Sequence, residues 1–174
     1  MSIQFDEHSR LFRLKTESSS YQMKISELGH LLHVYYGPRL DDDMSYLIDR
    51  QDRGFSGNPW DAPDRTYSLD TLPQEYPFAG GGDYREPCLE QVDRCGSLAA
   101  DYRYVSHRIL RGKPRLEGLP MLRGGDDVQT LEITLTDTPS KTDMILQYSV
   151  CEGIDILTRS VKIANRGDAP IRLE

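Results

Sequence analysis

Apolar and polar residues alternate with a period of two over most of the patterned segments of this chain, which sets one row of side chains on a core and the next toward solvent. Tyr21-Gln22-Met23-Lys24-Ile25-Ser26 alternates in this way, Glu27-Leu28-Gly29 makes a turn, and His30-Leu31-Leu32-His33-Val34-Tyr35-Tyr36 returns, which predicts an antiparallel hairpin. The segment from Thr130 to Thr136 puts Leu131, Ile133 and Leu135 on one face, and that from Met144 to Val150 does the same with Met144, Leu146, Tyr148 and Val150. Ile154 to Ala164 reads as a further strand, closed by the turn Asn165-Arg166-Gly167-Asp168-Ala169-Pro170. Without a convincing helical period, the prediction is an all-β fold, an antiparallel β-sandwich of two packed sheets. Ile171 and Leu173 restart the alternation just before Glu174. A domain that stopped there would open an unpaired apolar edge, so residues 1–174 are expected to be one incomplete domain, a fragment of a longer protein.

Between Asp41 and Pro87 the alternation lapses. The span holds Asp41-Asp42-Asp43, Gly54-Phe55-Ser56-Gly57-Asn58-Pro59-Trp60, the run Arg65-Thr66-Tyr67-Ser68-Leu69-Asp70-Thr71-Leu72-Pro73-Gln74-Glu75-Tyr76-Pro77, and Gly80-Gly81-Gly82-Asp83-Tyr84-Arg85-Glu86-Pro87. Pro73 and Pro77 exclude a helix interior, because proline lacks the backbone donor and clashes with the preceding turn. A loop this long inside a compact domain is either functional or disordered. Its aromatics, Phe55, Trp60, Tyr67, Tyr76, Phe78 and Tyr84, favour order.

Composition narrows the classes. The chain has 174 residues and a formal charge of −7, which fits one globular domain and opposes a sequence-independent grip on nucleic acid phosphates. No stretch is long enough to span a bilayer, and Met1 to His8 has neither the basic nor the apolar region of a secretory signal. Cys88, Cys95 and Cys151 are odd in number and show no Cys-x-x-Cys spacing, which points to reduced thiols in a cytoplasmic protein.

Most candidate chemistry reduces to structure. On a strand, His30 and His33 fall on opposite faces and cannot share a metal. Asp41-Asp42-Asp43 lacks the ligand spacing of a calcium loop and reads as a solvated acidic turn, as does Asp126-Asp127 after Gly124-Gly125. Gly80-Gly81-Gly82 lacks the Gly-Lys-Ser/Thr of a phosphate loop and reads as a turn with positive φ. No Gly-x-Ser-x-Gly elbow is present. No metal or cofactor is expected. What remains is a loop surface with Asp52, Phe55, Asn58, Trp60, Arg65, Asp83, Tyr84 and Arg85. That mixture suits a sugar, whose apolar ring face stacks on an aromatic while its hydroxyls need donors and acceptors. It equally suits a loop pinned by ion pairs of Arg65 and Arg85 with Asp70 or Asp83.

The run from Asp64 to Pro77, followed by Gly82-Asp83-Tyr84-Arg85-Glu86-Pro87, resembles the N-terminal domain of family 36 glycoside hydrolases, the microbial α-galactosidases. Leu31 to Gly37, Gly54-Phe55-Ser56, Ser106-His107-Arg108-Ile109, Lys113 to Pro120 and Leu157-Thr158-Arg159-Ser160 follow in the family's order. The resemblance implies a β-supersandwich domain that precedes a catalytic (β/α)8 barrel absent from residues 1–174. It also implies retaining hydrolysis of terminal α-galactosyl residues of oligosaccharides such as melibiose and raffinose. That chemistry uses two carboxylates roughly 5 to 5.5 Å apart, which in the family are barrel aspartates, one of them in a Lys-Trp-Asp motif. No Lys-Trp-Asp occurs here, so no catalytic residue is assigned and the chain alone is expected to be inactive. The family's N-terminal domain borders the sugar pocket within a tetramer. By that resemblance Asp52 and Arg65 become polar contacts to substrate, with Phe55, Asn58 and Trp60 at the loop tip. Gly57 stands where the family often has proline, and Trp60 is not a family-wide identity. A stand-alone carbohydrate-binding β-sandwich is the alternative.

Overall fold

The computed structural model describes residues 2–174 except Ser56, 119–120, 122–126 and the side chain of Glu152. The acidic turn expected at Asp126-Asp127 after Gly124-Gly125 therefore lies outside the described residues except for Asp127, which is an exposed turn residue. Strands β1 (Ile3–Asp6), β2 (Leu11–Lys15), β3 (Ser19–Ile25) and β4 (Leu31–Pro38) form one antiparallel sheet in chain order. Strands β6 (Tyr102–Arg111), β7 (Val128–Asp137), β8 (Thr142–Cys151) and β9 (Ile156–Asn165) form a second. A short ribbon pairs β5 (Gln91–Val92) with β10 (Arg172–Leu173), so Leu173 of the restarted pattern finds a strand partner in Gln91. Among the described residues the only helical segments are 3-10 turns at Ser45–Leu47 and Glu152–Ile154, and none is long and apolar enough to cross a membrane.

One core joins the two sheets. Leu131, Ile133 and Leu135 of β7 and Met144, Leu146, Tyr148 and Val150 of β8 face Ile3, Phe12, Leu14, Met23 and Ile25 of the first sheet within a single buried cluster. Each such side chain contributes about 1.5 to 3 kcal/mol by leaving water. On the other face of β7, Glu132 is bonded to Arg108 of β6 and accepts from Gln147 of β8, whose own amide oxygen takes the hydroxyl of Ser160 on β9 at 3.1 Å. A polar ladder thus crosses all four strands.

The expected hairpin forms between β3 and β4, with Gly29 at φ +91° in its turn. The strand expected from Ile154 begins later. Asp155 sits at φ +55°, a left-handed conformation that interrupts the extended chain, and its carboxylate accepts the backbone N–H of Ser18 at 3.0 Å. β9 starts only at Ile156.

The span from Asp41 to Pro87 is ordered and enters the core. Tyr67, Leu69 and Leu72 are almost wholly buried. Pro73 to Glu75 runs along the free edge of β4: His33 N donates to Pro73 O at 2.7 Å, and Glu75 N donates to Leu31 O at 2.9 Å. The segment from Pro73 to Glu75 thus covers a sheet edge that would otherwise present unpaired groups.

Candidate functional site

Three polar clusters order the long loop, the first within the loop itself and the other two against the sandwich. In the first, the side chain of Asp83 is buried and accepts from Arg85 Nε at 2.8 Å, Arg85 Nη2 at 2.7 Å and Gln74 Nε2 at 2.6 Å. Arg85 Nη2 also donates to Leu69 O at 2.7 Å and Leu72 O at 2.8 Å. Burial pushes the Asp83 carboxyl up, but the hydrogen bonds and charge of Arg85 outweigh it and hold it below the usual carboxylate range. Gly80, Gly81 and Gly82 all have positive φ, as expected for that run. At Gly82 a side chain is also excluded by contact, since an added Cβ would lie 2.8 Å from Gly57 O. The two loop arms therefore touch backbone to backbone.

The second cluster is centred on Tyr67. Its hydroxyl lies 2.7 Å from His30 Nδ1 and 2.7 Å from Ser26 Oγ, while His30 Nε2 lies 2.9 Å from Asp101 Oδ1. Arg103 bridges Asp101, at 2.8 Å from Oδ2, to Asp61, at 2.9 Å from Oδ1. Burial pushes the Tyr67 phenol up to about 12. His30 is buried and structural. His33 points to a different partner, so the two histidines do not converge.

The third is centred on Glu75, a buried carboxylate. It accepts Tyr21 Oη at 2.6 Å and Tyr148 Oη at 2.8 Å, and lies 3.2 Å from both Arg159 Nη1 and His33 Nδ1. These partners come from β3, β8, β9 and β4. Burial and the Glu75 charge both raise the Tyr21 and Tyr148 phenols, so both remain neutral donors. Neither Glu75 nor Tyr67 stands out from sequence as a site; their only signal is membership of the unusual run between the prolines.

The sequence-predicted contact residues lie on the outer arm of the loop. Arg65 Nε is 3.3 Å from Asp52 Oδ2 and Arg65 Nη2 donates to Gly54 O at 2.9 Å, while Asp52 Oδ1 accepts Gly54 N at 2.8 Å. Arg65 thus pairs with Asp52 rather than with Asp70. This staple presents Phe55, which is fully exposed at 100%. Asn58 belongs to the scaffold through its amide nitrogen, which donates to Arg65 O at 3.1 Å and Tyr67 O at 2.6 Å. Trp60 is 91% exposed and borders a separate cleft of about 390 Å³, lined also by Leu69, Gly81, Gly82, Ala99, Ala100 and Asp101. Among the described residues, no three His, Cys, Asp or Glu side chains converge to hold a metal ion.

The arrangement is a rigid scaffold with an exposed rim that can offer a guanidinium, a carboxylate and two aromatic faces to a ligand. Known proteins place it. The chain is 45% identical over its full length to the bifunctional alpha-galactosidase/sucrose kinase AgaSK of Mediterraneibacter gnavus, and 40% identical over 99% of its length to the alpha-galactosidase AgaA of Geobacillus stearothermophilus. It spans only 19% and 24% of those two relatives. The solved galactosidase domain of AgaSK superimposes with a TM-score of 0.95 over 98% of this chain and 24% of that one, at 44% identity. AgaA of Geobacillus stearothermophilus in complex with raffinose, as an A355E D548N variant, matches at TM-score 0.88 and 41% identity, covering 94% of this chain and 23% of that one. The family model described as the glycosyl hydrolase family 36 N-terminal domain matches residues 29–174. The chain belongs to the N-terminal domain family of family 36 glycosyl hydrolases.

Proposed function

We propose that this chain is the non-catalytic N-terminal part of an α-galactosidase that removes terminal α-galactosyl residues from oligosaccharides such as melibiose and raffinose. The observation that carries the reading is similarity over essentially the whole chain to proteins whose names are alpha-galactosidases, one of them solved with raffinose and another variant with stachyose. In this reading the catalytic carboxylates reside in a barrel outside residues 1–174. The loop stapled by Asp52 and Arg65 borders the sugar pocket, Arg65 and Asp52 supply polar contacts to substrate, and Phe55 and Trp60 supply ring faces. Asn58 acts by holding the loop tip. The same reading makes the enzyme a homotetramer and places it in the cytoplasm, where the free thiols of Cys88, Cys95 and Cys151 would stay reduced.

The test uses the enzyme that carries this domain. Arg65→Ala is expected to raise KM for raffinose about tenfold, the size of one charge-assisted hydrogen bond, with a smaller change in kcat and an unshifted melting temperature. The 174-residue chain alone is expected to release no galactose. Unchanged raffinose kinetics in Arg65→Ala would remove the loop from the pocket, and turnover by the isolated chain would overturn the non-catalytic assignment.

A further inference from the structure

The cleft beside Trp60 is distinct from the Asp52–Arg65 staple. One wall is apolar, from Pro59, Leu69 and Pro139, and Ala99 and Ala100 line it with only small side chains. Its glycine floor is fixed, because Gly57 and Gly82 meet with no room for a side chain between them. A volume of about 390 Å³ falls within the ~300 to 1,000 Å³ of clefts that take small molecules.

Charge selects the occupant. The ionisable residues lining the cleft are carboxylates, Asp101 and Asp137, with no Lys or Arg among them. Asp137 is committed: Oδ1 accepts Asp101 N at 3.0 Å and Oδ2 accepts Ser140 N at 3.2 Å. Asp101 is not saturated. Its Oδ2 takes Arg103 Nε at 2.9 Å and Nη2 at 2.8 Å, while among the described residues Oδ1 takes only His30 Nε2 at 2.9 Å. A carboxylate oxygen accepts about two hydrogen bonds, so one acceptor position of Oδ1 stays open. Asn58 Oδ1, on the rim, also has no partner among the described residues, since only the amide nitrogen of that side chain is engaged. An anion would meet two carboxylates, of which only Asp101 has a cation beside it, Arg103, and that guanidinium is not among the described residues lining the cleft. A cation would gain little from Asp101, whose charge Arg103 already offsets. A neutral molecule with hydroxyl donors and an apolar face fits both the acceptors and the exposed indole.

We propose that this cleft binds a neutral sugar unit, stacked on Trp60 and donating a hydroxyl to Asp101, as a second contact for an oligosaccharide held by the same domain. The proposal rests on the galactoside reading above for the identity of the sugar. The preformed floor limits what must be ordered on binding.

Trp60 is the only tryptophan in the chain, so its fluorescence reports on the loop tip, and an obstruction placed at Ala99 separates the cleft from the Asp52–Arg65 staple. Titrating the 174-residue chain with raffinose is expected to give a saturable blue shift and reduced quenching by acrylamide. Galacturonate, which carries a negative charge on a ring of the same shape, is expected to bind at least tenfold more weakly than galactose. Ala99→Tyr fills the cleft from an exposed position and is expected to abolish the saturable response while leaving Trp60 emission in place. If circular dichroism shows that Ala99→Tyr has not folded, Ala99→Gln serves as a smaller obstruction with the same expected loss.

A flat raffinose titration overturns the cleft and leaves the Arg65 kinetics standing. An equal response in wild type and in the folded Ala99 variant also overturns it, because the sugar would then lie outside the cleft. Equal affinity for galacturonate and galactose overturns the argument from charge. A saturable response lost in the Ala99 variant supports the cleft even where Arg65→Ala leaves turnover unchanged.

Discussion

The hydroxyl of Tyr148 on β8 donates to Glu75 Oε1 across 2.8 Å, and through that contact the proline-flanked run of the long loop is tied into the second sheet. Tyr21 holds the same carboxylate from the first sheet at 2.6 Å. One buried anion therefore serves as the joint between the two layers. A buried carboxylate is tolerable only while its donors remain, and its donors are tolerable only while it does. Glu75→Ala orphans two phenols, one of them deep in the core, and a guanidinium, and is expected to cost about 3 to 5 kcal/mol in urea unfolding. Tyr148→Phe removes one donor and leaves Tyr21 and Arg159, so about 1 to 3 kcal/mol is expected. The reverse order of these two costs would show that Glu75 is not the joint.

Acid should loosen the loop at Asp83. Its folded pKa lies below the unfolded value of about 3.9, because Arg85 and Gln74 favour the charged form more than burial disfavours it. The stabilisation is complete above the unfolded pKa and is lost as pH falls through the depressed folded value. Melting temperatures measured from pH 6 downward are expected to fall more steeply below about pH 4 in wild type than in Asp83→Asn. Parallel profiles would show that Asp83 and Arg85 do not carry the acid dependence of this loop.

At the alkaline end Tyr67 has the opposite sign. Burial pushes its phenol up to about 12, above the unfolded value of about 10. Its contribution is intact below about pH 10 and declines as pH rises toward about 12, where the folded phenol also ionises. Tyr67→Phe removes the partner of His30 and Ser26, costs about 1 to 3 kcal/mol at neutral pH, and is expected to flatten this alkaline decline. A tyrosinate absorbance titration of the wild type, with and without Tyr67, checks it directly.

The strands that alternation marks are those with one face in the apolar core and a polar, partly covered row on the other. Leu131, Ile133 and Leu135 on β7 and Met144, Leu146, Tyr148 and Val150 on β8 are buried as their spacing implies. β2 escapes the pattern because Leu11 and Phe12 are neighbours yet both buried, one on each face, which erases the period. β6 escapes it because a register shift between Tyr104 and Ser106 turns the alternation over in mid-strand. In the loop, the pairing of Arg85 with Asp83 is local and readable from spacing, whereas Glu75 with Tyr148 is set by tertiary distance. The sequence motif marks the protein family, but most of its conspicuous residues, Tyr67, Leu69, Leu72 and Glu75, are buried scaffold. Of the residues expected to contact substrate, Arg65 alone belongs to the motif, and it reaches the exposed rim with Asp52.

Two glycines separate backbone strain from backbone contact. Gly54 has φ +74° and nothing within 4 Å of an added Cβ, so Gly54→Ala carries only the cost of a left-handed residue, about 1 to 2 kcal/mol. Gly82 has φ +85° and in addition would drive its Cβ to 2.8 Å from Gly57 O, a backbone atom that cannot rotate aside. Gly82→Ala must therefore separate the two loop arms, and with them the floor of the cleft beside Trp60. It is expected to destabilise the chain by at least ~1 kcal/mol more than Gly54→Ala. It should also weaken the response of Trp60 fluorescence to raffinose, which Gly54→Ala should leave unchanged. Gly54→Asn, whose side chain tolerates the left-handed region, is expected to recover most of the Gly54→Ala loss, and Gly82→Asn to recover none, because at Gly82 the obstacle is the Cβ itself.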